Sequence, residues 1–168
     1  STILMEVKLS LPTVRNFHQV NDWLYRGGQP DERQLQELYD YGIRAVISFR
    51  FRKSMQDWEG EACKRVGLKF YAMPLNYTTV PKAKHVEEFF KILDALENRN
   101  VFVHCYHGSD RTGLLIGIYR IARDGWTFKD AYKEMKAFGF HRFRIRPFKW
   151  VLNQYYKNHL KTKTSSSI

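Results

Sequence analysis

His104-Cys105-Tyr106-His107-Gly108-Ser109-Asp110-Arg111-Thr112-Gly113 is the stretch whose reading decides the fold. The apolar run Val101-Phe102-Val103 precedes it, and Leu114-Leu115-Ile116-Gly117-Ile118-Tyr119 follows. That pattern predicts a buried strand, a tight loop with a central glycine, and a helix. A cysteine then stands at the strand end, and an arginine opens the helix.

A thiol attacks only as its thiolate, and a free cysteine is mostly protonated near neutral pH. The backbone N–H groups from Tyr106 to Arg111, the helix start and the Arg111 guanidinium would all stabilise negative charge at Cys105. The same groups suit a phosphate dianion, whose oxygens the loop amides would hold while Arg111 takes two in a fork. Gly108 permits the curl, and the Thr112 hydroxyl is placed to donate to the sulfur as it departs. One loop would then activate a nucleophile and bind a phosphoryl group, with Tyr106, His107, Gly108, Ser109, Asp110 and Arg111 as the phosphate-binding positions. Spacing alone does not carry this reading, because Cys63 has Lys69 at its own sixth position. The weight lies in the apolar strand, the central glycine and the Arg-Thr-Gly that opens a helix.

Working outward, Asn21 to Arg26 reads as a short strand ending at Gly27-Gly28-Gln29-Pro30. Asp31 and Gln34 form a capping box for a helix with Leu35, Leu38 and Tyr39 on its apolar stripe, closed by Gly42. Strands are expected over 43–49 and 68–73, with helices through 63–66, 82–98, 126–138 and 147–160. Residues 75–80 form a loop between Pro74 and Pro81, and residues 140–146 read as an extended segment alternating apolar and basic side chains. Residues 1–20 show no periodicity, and 161–168 read as a frayed tail. Strands alternating with helices argue for an α/β fold in one domain spanning 1–168. Its central sheet is expected to be mostly parallel, with four or five strands flanked by helices. Ligands of such sheets collect at the carboxyl ends of the strands, where the Cys105 loop lies.

With 28 Lys and Arg against 17 Asp and Glu, the 168-residue chain carries a net charge of +11. That surplus favours anionic partners: phosphorylated small molecules, acidic lipid headgroups or nucleic acid. No run is long and apolar enough to span a membrane. Cys63 and Cys105 make no disulfide framework, no Cys/His spacing resembles a zinc site, and no cofactor is expected. Unpaired cysteines suit a soluble protein in a reducing cytoplasm. The start at Ser1 keeps export after removal of a leader open.

At these residues the chain resembles the cysteine-dependent protein tyrosine phosphatase superfamily, in its atypical dual-specificity branch. His104-Cys105-x5-Arg111-Thr112-Gly113 matches the signature of that superfamily. Asn16-Phe17, Val20, Leu24 to Pro30 and Gly42-Ile43-Arg44 resemble the start of its bacterial, plant and fungal atypical group, which includes phytase-like inositol polyphosphate phosphatases. The resemblance implies the fold of that superfamily and a phosphocysteine on Cys105, hydrolysed in a second step without metal. It also implies that His104 supports the loop and tunes the thiolate. Polyanionic substrates such as inositol polyphosphates or phosphoinositides are expected, with phosphopeptides also open. An RNA 5′-triphosphatase and a non-catalytic phosphate-binding pseudophosphatase are the alternatives.

One departure matters. The superfamily takes the leaving-group proton from an aspartate on a mobile loop ahead of the signature, and 74–81 contains neither Asp nor Glu. Asp110 is the replacement candidate, since a carboxylate beside bound phosphate favours its protonated form and some phosphoinositide-directed relatives carry Asp there. Against this, Asp110 could simply complement the helix N-terminus or hold a basic neighbour. Asp57, Glu59 and Glu61 are weaker acid candidates, read otherwise as a solvated helix face. His107 is a candidate reader of a second phosphate. Arg50, Arg52 and Lys53 follow a strand near the site, Lys82 and Lys84 follow the 74–81 loop, and all five are candidate substrate contacts. Arg142, Arg144 and Arg146 would face one side of an extended segment.

Overall fold

The computed structural model describes residues 10–165. A five-stranded sheet forms its middle, built from β1 (His18–Gln19), β2 (Leu24–Gly27), β3 (Ala45–Ser48), β4 (Lys69–Ala72) and β5 (Val101–His104), in the order β1-β2-β5-β3-β4. Only β1 runs antiparallel, so the expected mostly parallel sheet is present. β5 lies centrally, with Gly27 and Ser48 both in register with His104. All four β5 residues are buried, which is why its sequence is apolar on both faces.

Side-chain alternation along β5 separates two cores. Val101 and Val103 join Ile47, Phe89, Leu114, Leu115, Met135 and Leu152 on one face. That face is covered by α3 (Ala83–Ala95), α4 (Arg111–Asp124), α5 (Phe128–Ala137) and α6 (Arg146–Ser165). Phe102 joins Val46, Leu35, Leu38, Ala62 and Cys63 on the other, under α1 (Glu32–Tyr41) and α2 (Lys53–Val66). His104, two residues after Phe102, stacks on it at 5.6 Å and so faces α2. That placement matters for the site.

The expected capping box is present: Gln34 N donates to Asp31 Oδ1 at 2.8 Å, and Asp31 N donates to Gln34 Oε1 at 3.0 Å. Two expectations change. Residues 140–146 do not extend, because Arg144 N and Ile145 N both donate to the His141 carbonyl and close a turn that leads into α6. Arg146 therefore begins a helix instead of continuing an edge. α6 also runs through Ser165, so 161–165 is helical where a frayed tail was expected, and the rest of that tail lies outside the described residues. No helix among the described residues is long and apolar enough to cross a membrane.

Candidate active site

The loop from Cys105 to Asp110 joins β5 to α4 and is pressed against the end of β2. A Cβ on Gly108 would lie 2.4 Å from the Gly27 carbonyl carbon, and one on Gly28 would lie 2.9 Å from the Tyr106 oxygen. Gly108 also has φ +76, where side chains are strained. Only glycines let these two backbones meet. Gln29 N donates to the Tyr106 carbonyl at 3.0 Å, and Arg15 Nη2 donates to the same oxygen at 3.0 Å. With that carbonyl held outward, the curl can turn its N–H groups inward.

A buried arginine sits beneath the loop. Arg26 Nη2 donates to the Gly108 carbonyl at 3.1 Å, and its guanidinium lies 4.8 Å from the Phe138 ring centre. Burial pulls this guanidinium down to about 10, with Glu134 and Cys105 acting in the opposite sense. Asn16, at φ +55, ties the N-terminal segment to the same place, donating from Nδ2 to Phe138 O at 2.8 Å and Gly108 O at 3.3 Å.

Cys105 is fully buried at the loop base. Arg111, 3% exposed, is fixed through Nη1, which donates to the carbonyls of Phe49 (3.1 Å) and Leu75 (3.0 Å). Its Nε is buried without a partner among the described residues. Anchoring by Nη1 thus leaves the other edge of the guanidinium for a bound anion. The Thr112 hydroxyl is also buried and unpartnered, so the expected bond to the sulfur is not formed here. Cys63 differs from Cys105 in surroundings: burial and Glu59 push its thiol up to about 12.

His104 and Glu59 form a buried pair. Nε2 of His104 lies 2.5 Å from Glu59 Oε2, and Nδ1 lies 3.1 Å from the Cys105 carbonyl oxygen. The carbonyl oxygen can only accept, so Nδ1 carries a hydrogen, and Nε2 and the Glu59 carboxyl share the hydrogen between them. Glu59 Oε1 accepts from Gln29 Nε2 at 2.8 Å, and Gln29 Oε1 accepts from Arg50 Nη1 at 2.8 Å. A chain of polar contacts therefore runs from Arg50 through Gln29, Glu59 and His104 to the Cys105 backbone. The expected solvated face holds for Asp57 and Glu61 but fails for Glu59, which is 0% exposed. Glu59 shares a buried stripe with Ala62 and Cys63, and that helical spacing was the overlooked signal.

Of the cavities that border the loop, two share the rings of Tyr77 and Tyr106. One of about 450 Å³ is lined by Arg50, Phe51, Arg52, Asn76, Tyr77, Tyr106 and Arg111. The Tyr77 ring lies 3.9 Å from the Arg111 guanidinium, and burial followed by Cys105 raises its hydroxyl, against Arg111. Burial, then Arg111, lowers Arg50. The other, about 330 Å³, is lined by Tyr77, Tyr106, His107, Asp110, His141, Arg144 and Ile145. Burial, then Arg15 and His141, holds His107 below the ordinary imidazole range. Asp110 is 1% exposed, and His141 donates to it from the backbone N (2.9 Å) and faces it with Nδ1 (2.9 Å). Asp110 therefore does hold a basic neighbour, one that the sequence reading passed over. Tyr77 and Arg15 were likewise missed, since nothing local marks them.

The remaining candidates divide. Arg50, Arg52, His107 and Arg144 reach the flanking cavities. Lys53 instead pairs with Asp57 at 2.8 Å on the exposed side of α2. Lys82 lines a separate apolar groove with Phe90, Trp150 and Tyr155, and Lys84 is exposed on α3. The turn after α5 splits the three arginines: Arg142 and Arg146 line a cavity with Tyr132 and Lys149, away from Arg144.

Comparison with known proteins agrees with this geometry. The chain is 30% identical over 125 residues to the dual specificity protein phosphatase TpbA of Pseudomonas aeruginosa, covering 74% of this chain and 55% of TpbA. It is 23% identical over 128 residues to inositol diphosphatase DSP2 of Oryza sativa, covering 73% of this chain and 61% of that protein. The chain thus spans little more than half the length of these relatives. The core catalytic domain of the PP-IP phosphatase Siw14 from S. cerevisiae superposes with a TM-score of 0.76 at 20% identity, covering 94% of this chain and 96% of that one. The fold is therefore that of the protein tyrosine and dual-specificity phosphatases, as the resemblance implied. Residues 11–152 match the family described as DSP-PTPase phosphatase fused to NAD+ kinase, and the chain belongs to that family.

Proposed function

We propose that the chain is a phosphatase that hydrolyses phosphomonoesters through a phosphocysteine on Cys105, acting on polyanionic substrates such as inositol polyphosphates or phosphoinositides. The observation that carries this is Arg111, anchored through Nη1 on Phe49 and Leu75 with its Nε unpartnered, at the head of the helix that follows the Cys105 loop. In the first step the sulfur attacks phosphorus while the loop amides and Arg111 hold the equatorial oxygens. In the second, water displaces the sulfur and phosphate departs. Buried Thr112 is the nearby hydroxyl that would support the departing thiolate.

Support for several phosphates comes from the basic side chains on both sides of the loop: the Arg50 and Arg52 guanidiniums in one cavity, and Arg144 with the His107 and His141 rings in the other. Such paired sites suit a substrate with phosphates on neighbouring positions. A phosphotyrosine reading draws on Tyr77 and Tyr106, whose rings wall both cavities and would flank an aromatic leaving group. The test is phosphate release from inositol hexakisphosphate, phosphoinositides, a phosphotyrosine peptide and triphosphate-ended RNA, by wild type and Cys105→Ser. Release from the inositol substrates by wild type alone is expected, with Cys105→Ser still binding them. Release only from the peptide or the RNA would replace the polyanion reading, and no release from any would end the enzymatic one.

A further inference from the structure

We propose that His141, oriented by Asp110, is the proton donor to the leaving oxygen, an inference that rests on the phosphocysteine reading above. The 74–81 loop lacks a carboxyl group, and the acid must come from elsewhere around the cavity. Asp110 is poorly arranged to supply it. Its carboxylate is 1% exposed and is already an acceptor for the backbone N–H of His141 and for Nδ1, the latter at 2.9 and 3.1 Å from its two oxygens.

That contact fixes the imidazole. With Nδ1–H turned to Asp110, the other ring nitrogen, Nε2, is left without a protein partner from this pair, and the His141 side chain stays 39% exposed on the cavity it shares with Tyr77, Tyr106 and His107. A carboxylate behind one nitrogen sets the tautomer and holds the ring orientation. The groups around His141 are Asp110 and His107 from the loop, the His107 ring 5.6 Å away, Arg144 from its own turn, Arg15 from the N-terminal segment, and the hydroxyls of Tyr77 and Tyr106. Asp110 is the sole carboxylate in that set. Asp110, the acid candidate on the loop, thus becomes a positioning residue, and its tertiary partner becomes the catalytic one.

The chemistry balances in two steps. As the Cys105 sulfur bonds to phosphorus, the bond from phosphorus to the leaving oxygen breaks and its electron pair stays on that oxygen. The oxygen takes the Nε2 proton, leaving His141 neutral. Water then attacks the phosphocysteine and gives its proton to Nε2. The phosphorus–sulfur bond breaks, and thiolate, imidazolium and inorganic phosphate result.

A proton donor matters in proportion to the basicity of the leaving group, and loss of one removes about 10²–10⁴-fold of rate. The experiment compares kcat/KM on phenyl phosphate and on 2,4-dinitrophenyl phosphate, across pH, for wild type, His141→Gln, Asp110→Asn and Tyr77→Phe. His141→Gln is expected to lose about 100-fold or more on phenyl phosphate, far less on the dinitrophenyl ester, and to lose the alkaline limb of the pH profile. Asp110→Asn, which loosens the hold on the ring, is expected to lose part of the same rate, again more on phenyl phosphate than on the dinitrophenyl ester. If His141→Gln does not fold, His141→Ala with free imidazole gives the same information, rescue of phenyl phosphate hydrolysis being the expected result. Equal losses on both esters, or a leaving-group effect carried by Tyr77→Phe instead, would overturn the assignment while leaving the phosphocysteine reading intact. A wild type inactive on both esters and on inositol hexakisphosphate would overturn the two together.

Discussion

Glu59 Oε2 lies 2.5 Å from Nε2 of His104, and both side chains are withdrawn from water. The pair supports the strand end that carries Cys105, and Gln29 and Arg50 extend it towards the flanking cavity. Removing one member leaves the other buried without its partner, which costs about 3–5 kcal/mol. Glu59→Ala is accordingly expected to lower the unfolding free energy by about that amount in urea titration. Glu59→Gln, which keeps an acceptor for His104, should lose less. A Glu59→Ala protein as stable as wild type would show that the pair holds nothing in place.

Gly108→Ala tests the close approach of the loop to β2. The added Cβ meets the Gly27 backbone at 2.4 Å and sits at φ +76. The left-handed conformation alone costs about 1–2 kcal/mol, and relieving the backbone clash requires the loop to move. Thermal unfolding should shift down and phosphatase activity should fall steeply. Gly125→Ala is the control, because its φ of +70 carries the same strain but its Cβ meets nothing within 4 Å.

The two cysteines should separate on alkylation. Burial and Glu59 push Cys63 up to about 12, so it carries almost no thiolate near neutral pH. Iodoacetate at pH 7 is expected to label Cys105, guided by the Arg111 edge, and to leave Cys63 unmodified in peptide mass spectra. Inorganic phosphate should protect Cys105. Equal labelling of both would remove the distinction drawn between them.

Stability should rise with pH just below the ordinary imidazole value. Burial lowers His18, His107 and His159 alike, with Arg26, Arg15 and Lys163 respectively the next contributions. A histidine with a depressed folded value binds fewer protons than it does unfolded, so unfolding takes up protons and acid favours it. The gain appears as pH rises through the folded values towards about 6.5 and is complete above that. Urea unfolding across this window should show a positive slope, flatter in His107→Gln. A slope unchanged by that substitution would exclude His107 as a contributor.

Much of this was legible in contiguous residues. The strand–loop–helix around Cys105 and the capping box of Asp31 and Gln34 both appear where the pattern puts them. These are local: alternation, glycine conformations and reciprocal caps are settled within a few residues. The 140–146 segment misled for the opposite reason. Its alternation of apolar and basic residues fits a strand, yet the His141 carbonyl closes a turn and the Asp110 carboxylate holds the His141 N–H.

The chain by itself determined that a cysteine would end a buried strand and an arginine would open the next helix, because hydrophobic period and turn chemistry are written in neighbouring positions. It also set the positive charge that directs the reading towards anionic substrates. Only the tertiary structure decided which side chains meet that loop. The parallel register of β2, β5 and β3 brings Gly27 and Ser48 level with His104, and the packing of α2 brings Glu59 beneath it. The turn after α5 brings His141 onto Asp110 and sends Arg144 to a different cavity from Arg142 and Arg146. These contacts join residues 30 or more positions apart, where periodicity within one element carries no information about which element becomes its neighbour.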